Sequence, residues 1–563
     1  MKLRRFFILS LLWSSGLSTS AVDREAFTFT RYDLNVRVEP EQQRLAVRGK
    51  MWLRNDSTLP QKNIALQISS SLDWRAIRLA GKPVQFLTHA YTSDVDHTGA
   101  LTEAIVTLPA ETAPKSTVEL EIAYEGVIPI DATRLTRIGV PEEKARHSDW
   151  DQISKSFSAV RGIGYVTWYP IATDAASLSE ADSVEETVAR WKARDNEAAM
   201  RVTLESTQNW PVLFSGAGAN SQGAASFEVE RTGISTPTFV IAPYQELAAG
   251  EGLSIQYLAD EQQSAKDLAE AAKQIEAPLP AMDSSTRLRI LGLPDAEALP
   301  FVTEGMLLRP LTGPLSNETV LSIVYARALS RVSSERAWIQ EGLAHYAQAA
   351  YIETDQDRRV ALEYLGAHKA TLIEAEKHIA ESEPAQRSLI NAPDDLYLQT
   401  KSMYVWWMLR DMLGHFPNDA LLAYKPAEDK DAAYLQRLIE RTTHQDLQWF
   451  FDDWVYRDRG LPDFRIVSVY SRRIVEAGYM VTVTVENLGG AGAEVPVTVR
   501  CGADELTKRL VVQGKSQASI RIETASLPQE AVVNDGSVPE SDVTNNSFKV
   551  ETPTDSTAEA KTN

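Results

Sequence analysis

The chain has 563 residues, a formal net charge of -20 and a pI of about 5.0. It is too long for a single hydrophobic core, so several domains are expected. The acidic balance argues against DNA, RNA and anionic lipid as main partners, because these bind clustered Lys and Arg.

Residues 1–21 have the features of a secretory signal peptide. A positively charged start precedes a short apolar run over 6–12, and small residues at 19–21 form a cleavage site. An uncleaved anchor is the alternative, but the apolar run is short for a bilayer span. We therefore expect an exported bacterial protein, periplasmic or secreted, with no integral membrane segment after cleavage.

Residues 24–250 show the alternation of apolar and polar side chains that is typical of strands with one buried face. Leu34, Val36 and Val38 give one example of this pattern. The glycine-rich stretch at 216–223 lacks the spacing of a phosphate-binding loop and predicts a hairpin turn. We expect an all-β domain over 24–250.

The periodicity then changes, and residues 252–462 predict a domain in which helices follow a few strands. Ser316 is a suitable N-cap for one of these helices. We expect strands at 253–258, 288–293 and 306–308, and helices at 261–275, 317–331, 337–351 and 403–413.

Strand patterns return over 465–552 and predict a small β-sandwich, followed by a polar, disordered tail at 553–563. Cys501 is the single cysteine, so no intramolecular disulfide can form. Because it continues the period of Val495, Val497 and Val499, we expect it to be buried and unreactive.

Five segments, in order, resemble the aminopeptidase N-like zinc metallopeptidases of peptidase family M1. They are RYDLNVRVEPEQQRLAVRGKMWLRN, TEGMLLRPL, WIQEGLAHYAQ, LQTKSMYVWWMLRDMLG and QWFFDDWVYRDRGLPDF, spread over residues 30–465. PESDVTNNSF is similar to CARDB-like or fibronectin-like modules. The resemblance implies a multidomain fold with an all-β saddle domain, a thermolysin-like α/β plus α-helical domain, and a C-terminal Ig-like β-sandwich.

In that family, two His of an HExxH motif and a Glu on the next helix hold zinc, and the Glu inside the motif is the general base. The resemblance places the third zinc ligand at Glu341. The two His positions fall at Glu318 and Ser322 in one alignment. In the other they fall at Ser322 and Ala326, with Ile323 in place of the base. No His occurs between Gly305 and Glu341.

Two further family roles also lack their residue. The Glu that holds the substrate amine corresponds to Leu307, and the Tyr that stabilises the oxyanion corresponds to Gln399, although Lys401 remains. We therefore predict no intact catalytic residue, no metal site and no cofactor.

A rebuilt metal site is the alternative. Glu341 and His345 are one helical turn apart and could approach one ion. Asp149 and Asp151 follow His147 in the sequence, and Asp446 follows His444. Solvated polar faces or ordinary helix positions are the favoured explanation of these residues. There is also no GxSxG motif for serine catalysis.

The sequence favours a non-catalytic homologue that binds a peptide, a protein or an envelope component in the interdomain cleft, with no nucleic acid as partner. One alternative is an active metallo-aminopeptidase with an unconventional zinc site. A structural or assembly protein of the cell envelope is another. Without zinc, Glu341 needs compensation. We expect a cation from Arg327, Arg331 or Lys401 to provide it.

Overall fold

The computed structural model describes residues 22–180, 183–216, 221–229, 231–232, 236–282, 287–313, 315–334, 336–381, 388–390, 392, 395–474 and 478–550. The predicted signal peptide and C-terminal tail, as well as part of the predicted turn at 216–223, lie outside the described residues. No helix among the described residues is long and apolar enough to cross a membrane.

The N-terminal part is rich in strands and also contains helices. Its strands are β1 (Phe27–Glu39), β2 (Arg44–Asn55), β3 (Gln61–Ser69), β4 (Leu72–Leu79), β5 (Lys82–Pro83), β6 (Gln85–Thr92), β7 (Ala100–Thr112), β8 (Thr117–Val127), β9 (Gln152–Ile153), β10 (Ser158–Val160), β11 (Ala199–Ser206), β12 (Pro211–Phe214), β13 (Ser221–Gln222), β14 (Ala224–Val229) and β15 (Phe239–Ile241). Its helices are α1 (Thr133–Arg137), α2 (Glu142–Ser148) and α3 (Ser183–Asp195).

These strands form three sheets within the described chain. The largest has the order β14-β11-β1-β2-β8-β4-β5, the second is β13-β12-β15-β10-β9, and the third is β3-β7-β6. In the largest sheet β1 and β11 run parallel, whereas β1 pairs with β2 antiparallel. Every second residue of β1 from Tyr32 to Val38 is buried, as the alternation predicts.

The middle part is a mixed sheet followed by helices. Its strands are β16 (Gln245–Ala248), β17 (Leu253–Tyr257), β18 (Leu288–Gly292), β19 (Phe301–Thr303) and β20 (Met306–Arg309). Its helices are α4 (Gln262–Ala272), α5 (Asn317–Arg331), α6 (Ala337–Asp355), α7 (Arg358–Glu381), α8 (Asp395–Leu413), α9 (Asn418–Ala423), α10 (Tyr434–Thr443) and α11 (Gln448–Phe451), and a π-helical turn covers Asp452–Tyr456.

The mixed sheet has the order β16-β17-β18-β20-β19, with β17, β18 and β20 parallel. It begins with β16, whose residues precede the division between domains expected at 250–252. α5 starts where predicted, because the Ser316 hydroxyl accepts the backbone N–H of Thr319 at 3.2 Å. α6 packs against α5, α7 and α8.

The C-terminal part forms two small sheets from β21 (Phe464–Arg473), β22 (Tyr479–Asn487), β23 (Ala493–Cys501), β24 (Asp504–Val512), β25 (Gln517–Thr524), β26 (Glu530–Val533) and β27 (Ser547–Lys549). Their orders are β21-β22-β25 and β24-β23-β26-β27. Cys501 lies on β23, and its side chain is buried on the same face as Val495, Val497 and Val499, as predicted.

The buried apolar residues that the structure describes form three clusters. One belongs to the N-terminal part alone. A small one joins the N-terminal part to the mixed sheet through residues such as Trp150 and Met306. The largest runs without interruption from β17 through the helices into the C-terminal sandwich, and includes Trp454, Phe464 and Val497.

Candidate functional site

A cavity of about 450 Å³ lies where the N-terminal part faces the mixed sheet and helices. α3 contributes Val184, Glu185, Val188 and Lys192, and residues 301–304 also line the cavity. The helical side supplies Tyr325 and Leu329 from α5, Gln340 and Glu341 from α6, and Gln399 from α8. The cleft expected between the first two domains is therefore present, and Glu341 and Gln399 line it.

α3 packs against the N-terminal part. The Trp191 ring lies 5.9 Å from the Tyr169 ring, and the Asp195 carboxylate accepts the backbone N–H of Phe29 at 2.7 Å. Burial raises the pKa of Asp195 to about 6. Val184 and Val188, which precede Trp191 and Asp195 by seven residues each on the same helix face, line the cavity.

The N-terminal wall of the cavity rests on a buried ion pair. Arg134 donates from Nε and Nη2 to the two carboxylate oxygens of Asp149 at 2.8 and 2.7 Å. A further nitrogen of Arg134 donates to the carbonyl of Asp94 at 2.8 Å. The Tyr165 and Phe301 rings, which line the cavity, meet edge to face at 5.2 Å. Arg134 is therefore charge-neutralised within the protein.

Glu341 reaches the cavity from α6 and is partly exposed. Its Oε2 accepts a hydrogen bond from the Tyr325 hydroxyl at 2.5 Å. Because Tyr325 lies on α5, this bond joins α5 to α6.

The positions expected for the lost His ligands do not converge on Glu341 as metal ligands. Ser322 donates to the carbonyl of Thr319 at 2.8 Å and accepts Arg309 at 3.3 Å. Ile323 and Ala326 are buried in the apolar core. Glu318 is exposed in the first turn of α5.

Leu307 is fully buried on β20, and Ile290 is its partner on β18. It packs in the helical core and does not line the cavity. Leu307 is therefore a packing residue in this structure.

Lys401 is also engaged away from the cleft. Its Nζ donates to Glu376 at 2.7 Å, to Asp458 at 2.8 Å and to the Tyr397 hydroxyl at 2.8 Å. Its side chain is 0% exposed. Lys401 is therefore the centre of a buried polar cluster.

The expectation that an internal cation neutralises Glu341 is wrong. Arg327 donates to the carbonyl of Ile275, and Arg331 donates to the carbonyl of Ala277 at 2.8 Å. Lys401 is held by Glu376 and Asp458. Within the described chain, the hydrogen-bond donor found at Glu341 is the neutral phenol of Tyr325.

His345 lies one turn after Glu341, but its ring faces other groups. Nδ1 lies 3.1 Å from Oε1 of Gln348, and the ring packs 4.9 Å from that of Tyr325. Burial lowers the pKa of His345 to about 4, so the imidazole is neutral at neutral pH.

The other groups considered for metal binding are also separated by the fold. Asp149 binds Arg134, Asp151 binds Arg161 at 2.6 Å, and His147 reaches Asp295 at 2.6 Å. His444 has a left-handed backbone at the end of α10, and Asp446 caps the backbone N–H of Gln448 at 3.0 Å. These residues serve local structure.

The residues around Glu341 do not suit zinc. A catalytic zinc takes about three protein ligands from His, Cys, Asp or Glu. Besides Glu341, the described lining of the cavity supplies two carboxylates, Glu185 and Glu304, and no His or Cys. Over the described ranges, no group of three or more His, Cys, Asp or Glu side chains could hold a metal ion.

Sequence reasoning missed α3 and the role of Tyr325. α3 has the signals of a helix, with Glu185 and Glu186 in its first turn and Lys192 and Arg194 in its last. These signals were available in the sequence. The bond between Tyr325 and Glu341 spans two helices, and no local pattern encodes it.

No family model matches the chain, and no curated protein matches it. Among solved structures, the chain is similar to a mutant M1 zinc metallopeptidase from Deinococcus radiodurans bound to a Tyr-Ser-Ala substrate. The match has a TM-score of 0.46 and 16% identity, and covers 78% of this chain and 96% of that one. This likeness is too low to assign residues or an activity to the present chain.

Proposed function

We propose that this chain is an exported, non-catalytic binding protein on a zinc aminopeptidase-like scaffold, and that the cleft holds its ligand, a peptide, protein or envelope component. One observation carries the proposal. The cavity of about 450 Å³ is lined by Glu341 and Gln399, whereas the side chains around Glu341 are not a zinc-ligand set. A cavity of this size is in the range of ligand sites.

The lining suits an organic ligand. The lining combines apolar residues from both sides of the cleft, such as Val188, Phe301 and Leu329, with polar ones such as Gln340 and Gln399. Ligand sites generally combine apolar walls with a few polar groups that fix orientation. An assembly role without a ligand would not require this lining.

The first experiment measures zinc content and the hydrolysis of aminoacyl substrates by the mature protein. We expect no stoichiometric zinc and no release of amino acid. One zinc per chain together with chelator-sensitive turnover would support the active metallopeptidase instead.

The second experiment asks whether the cavity holds a ligand. Protein purified from the cells that make it is denatured, and the released small molecules and peptides are identified by mass spectrometry. Leu329→Trp fills the cavity, and Leu422→Trp on α9, where the side chain is 59% exposed, is the matched control. We expect ligand from wild type and control but not from Leu329→Trp. A partner retained by all three would favour the structural or assembly role.

A further inference from the structure

One edge of the third sheet of the N-terminal part is left uncovered. This sheet has the order β3-β7-β6, so β6 pairs with β7 on one side and, within the described chain, with no strand on the other. Six of the eight residues of β6 are exposed. One of them, Leu87, is 78% exposed, more than any other large apolar side chain among the described residues.

The backbone groups along this edge have a regular spacing. Ser93, which follows β6, donates its N–H to the carbonyl of Gly99 at 3.2 Å, and this pair continues the register of β6 with β7. Hydrogen-bonded and non-hydrogen-bonded pairs alternate along an antiparallel ladder. The odd-numbered residues of β6 therefore bond to β7, whereas Phe86, Thr88 and Ala90 direct their N–H and C=O groups away from it. Across the described residues, these outward groups have no backbone partner.

The other sheet edges in the described part of the chain have features that oppose pairing with another strand. Each of the other edge strands is at most three residues long or contains a Lys, Arg, Asp or Glu. β3, at the opposite edge of the same sheet, has Lys62 and a shift in register between Gln61 and Asn63. Short strands, charges and bulges protect an edge from another chain. β6 has eight residues, none of these charged types and no shift in its register with β7, so it lacks all three protections.

We propose that β6 pairs with the β6 strand of a second copy of this chain, antiparallel about a two-fold axis. Each copy offers the outward N–H and C=O groups of Phe86, Thr88 and Ala90 to the other, and two three-stranded sheets join into one. A two-fold axis sets the same strand against itself, so length and spacing match. The chain has a net charge of -20, and β6 is a surface on which two copies bring no like charges together. The exposed Leu87, beside Ile105 of β7, is covered at this seam.

The test is sedimentation velocity of the mature protein over a concentration series, in which we expect a monomer–dimer equilibrium. Leu87→Lys places a charge in the seam and should weaken dimerisation about tenfold or more. Thr88→Pro removes an outward N–H without removing a bond to β7, and should act in the same direction. Leu59→Lys, at a side chain 66% exposed between β2 and β3, is the matched control and should leave the dimer unchanged. Far-UV circular dichroism checks that each variant is folded.

A cysteine cross-link locates the interface. Cys501 is buried, so Thr88→Cys adds an exposed thiol, and a short bismaleimide should join two copies through it, whereas Leu59→Cys should not cross-link. A wild-type chain that stays monomeric throughout the series would overturn the proposal. A dimer unaffected by both Leu87→Lys and Thr88→Pro would overturn the assignment to β6. A monomer that retains a foreign protein, lost in Leu87→Lys, would replace the second copy with another partner. No residue of β6 belongs to the described lining of the cleft, so each of these failures leaves the proposed function standing.

Discussion

The two boundaries that the middle part makes with its neighbours are built differently. Toward the N-terminal part it leaves a cavity of about 450 Å³, flanked by a small apolar cluster. Toward the C-terminal sandwich it shares one uninterrupted apolar core. The first boundary can admit a ligand, whereas the second behaves as the interior of a single folded unit.

The boundary between the helices and the sandwich, here called the closed boundary, is also held by polar contacts. The Trp454 indole donates to the carbonyl of Gly492 at 2.7 Å, and the backbone N–H of Gly492 donates to Asp453 at 2.9 Å. At the edge, Arg358 bridges Asp411 at 2.6 Å and Asp535 at 3.4 Å. We therefore regard the sandwich as part of the helical body.

The largest loss of stability is expected at Lys401, in the helical body that shares its core with the sandwich. Lys401→Met removes the cation that Glu376 and Asp458 share and leaves two carboxylates buried together. We expect a loss of about 3–5 kcal/mol in the free energy of unfolding, measured from urea curves. Lys425→Met is the matched control, since Lys425 forms an exposed pair with Glu428 at 2.8 Å. A change as small as that of the control would contradict a stabilising role for the buried cluster.

The sandwich approaches the end of the helical part closely at Gly490. A Cβ added at Gly490 would lie 2.1 Å from the carbonyl oxygen of Arg459, which belongs to the backbone and cannot turn away. Gly490→Ala should therefore destabilise by about 1–3 kcal/mol. Gly366→Ala in α7 meets no atom within 4 Å and should stabilise slightly, because alanine favours helix. Equal effects of the two substitutions would show that the boundary is loosely packed.

A substitution in the cleft should reduce the stability of the protein less than the two substitutions above. Glu341→Gln keeps an oxygen that can accept the Tyr325 hydroxyl, so we expect a change within about 1 kcal/mol. The measurement is a pair of thermal melts, each with and without chelator. A loss seen only without chelator would mean that a metal is bound. A large loss in both conditions would restore an internal cation as the partner of Glu341.

The sequence could predict the elements that depend on local periodicity and capping. The helix α5 and its Ser316 cap, the start of α6 and the end of α8 at Leu413 follow from local periodicity and capping. α3 was missed because the strand patterns on both sides of it led us to treat 24–250 as all-β. Its helical signals were present in the sequence.

The partners of the site residues could not be predicted. The sequence singles out Glu341 because the motif around it is local. Its bond to Tyr325 and the capture of Lys401 by Glu376 and Asp458 join residues 16, 25 and 57 positions apart. Several cations lie at comparable sequence distances from Glu341, and only the packing of the helices decides which reaches a carboxylate.

The smallest effect on stability is expected at His147. This residue lies at the boundary between the N-terminal part and the mixed sheet, here called the open boundary. His147 lies in α2, and its ring contacts Asp295 at 2.6 Å and Glu297 at 3.2 Å in the segment that leads to β19. Its backbone carbonyl also accepts the N–H of Leu299 at 2.8 Å. The hydrogen bond to Asp295 raises the pKa of His147, and the charges of Asp295, Glu297 and Glu143 act in the same direction.

The sign of the pH dependence follows from this shift. Because the folded state binds the proton more tightly than the unfolded state, the contact stabilises fully below the unfolded pKa of about 6.5. The stabilisation is lost as the pH rises through the higher folded pKa. We expect the difference in melting temperature between wild type and His147→Gln to shrink from pH 6 to pH 9. His415→Gln, at an exposed histidine after α8, should show no such trend. A difference that grows with pH would mean that His147 is neutral in the folded protein, and the open boundary would then lack this charged contact.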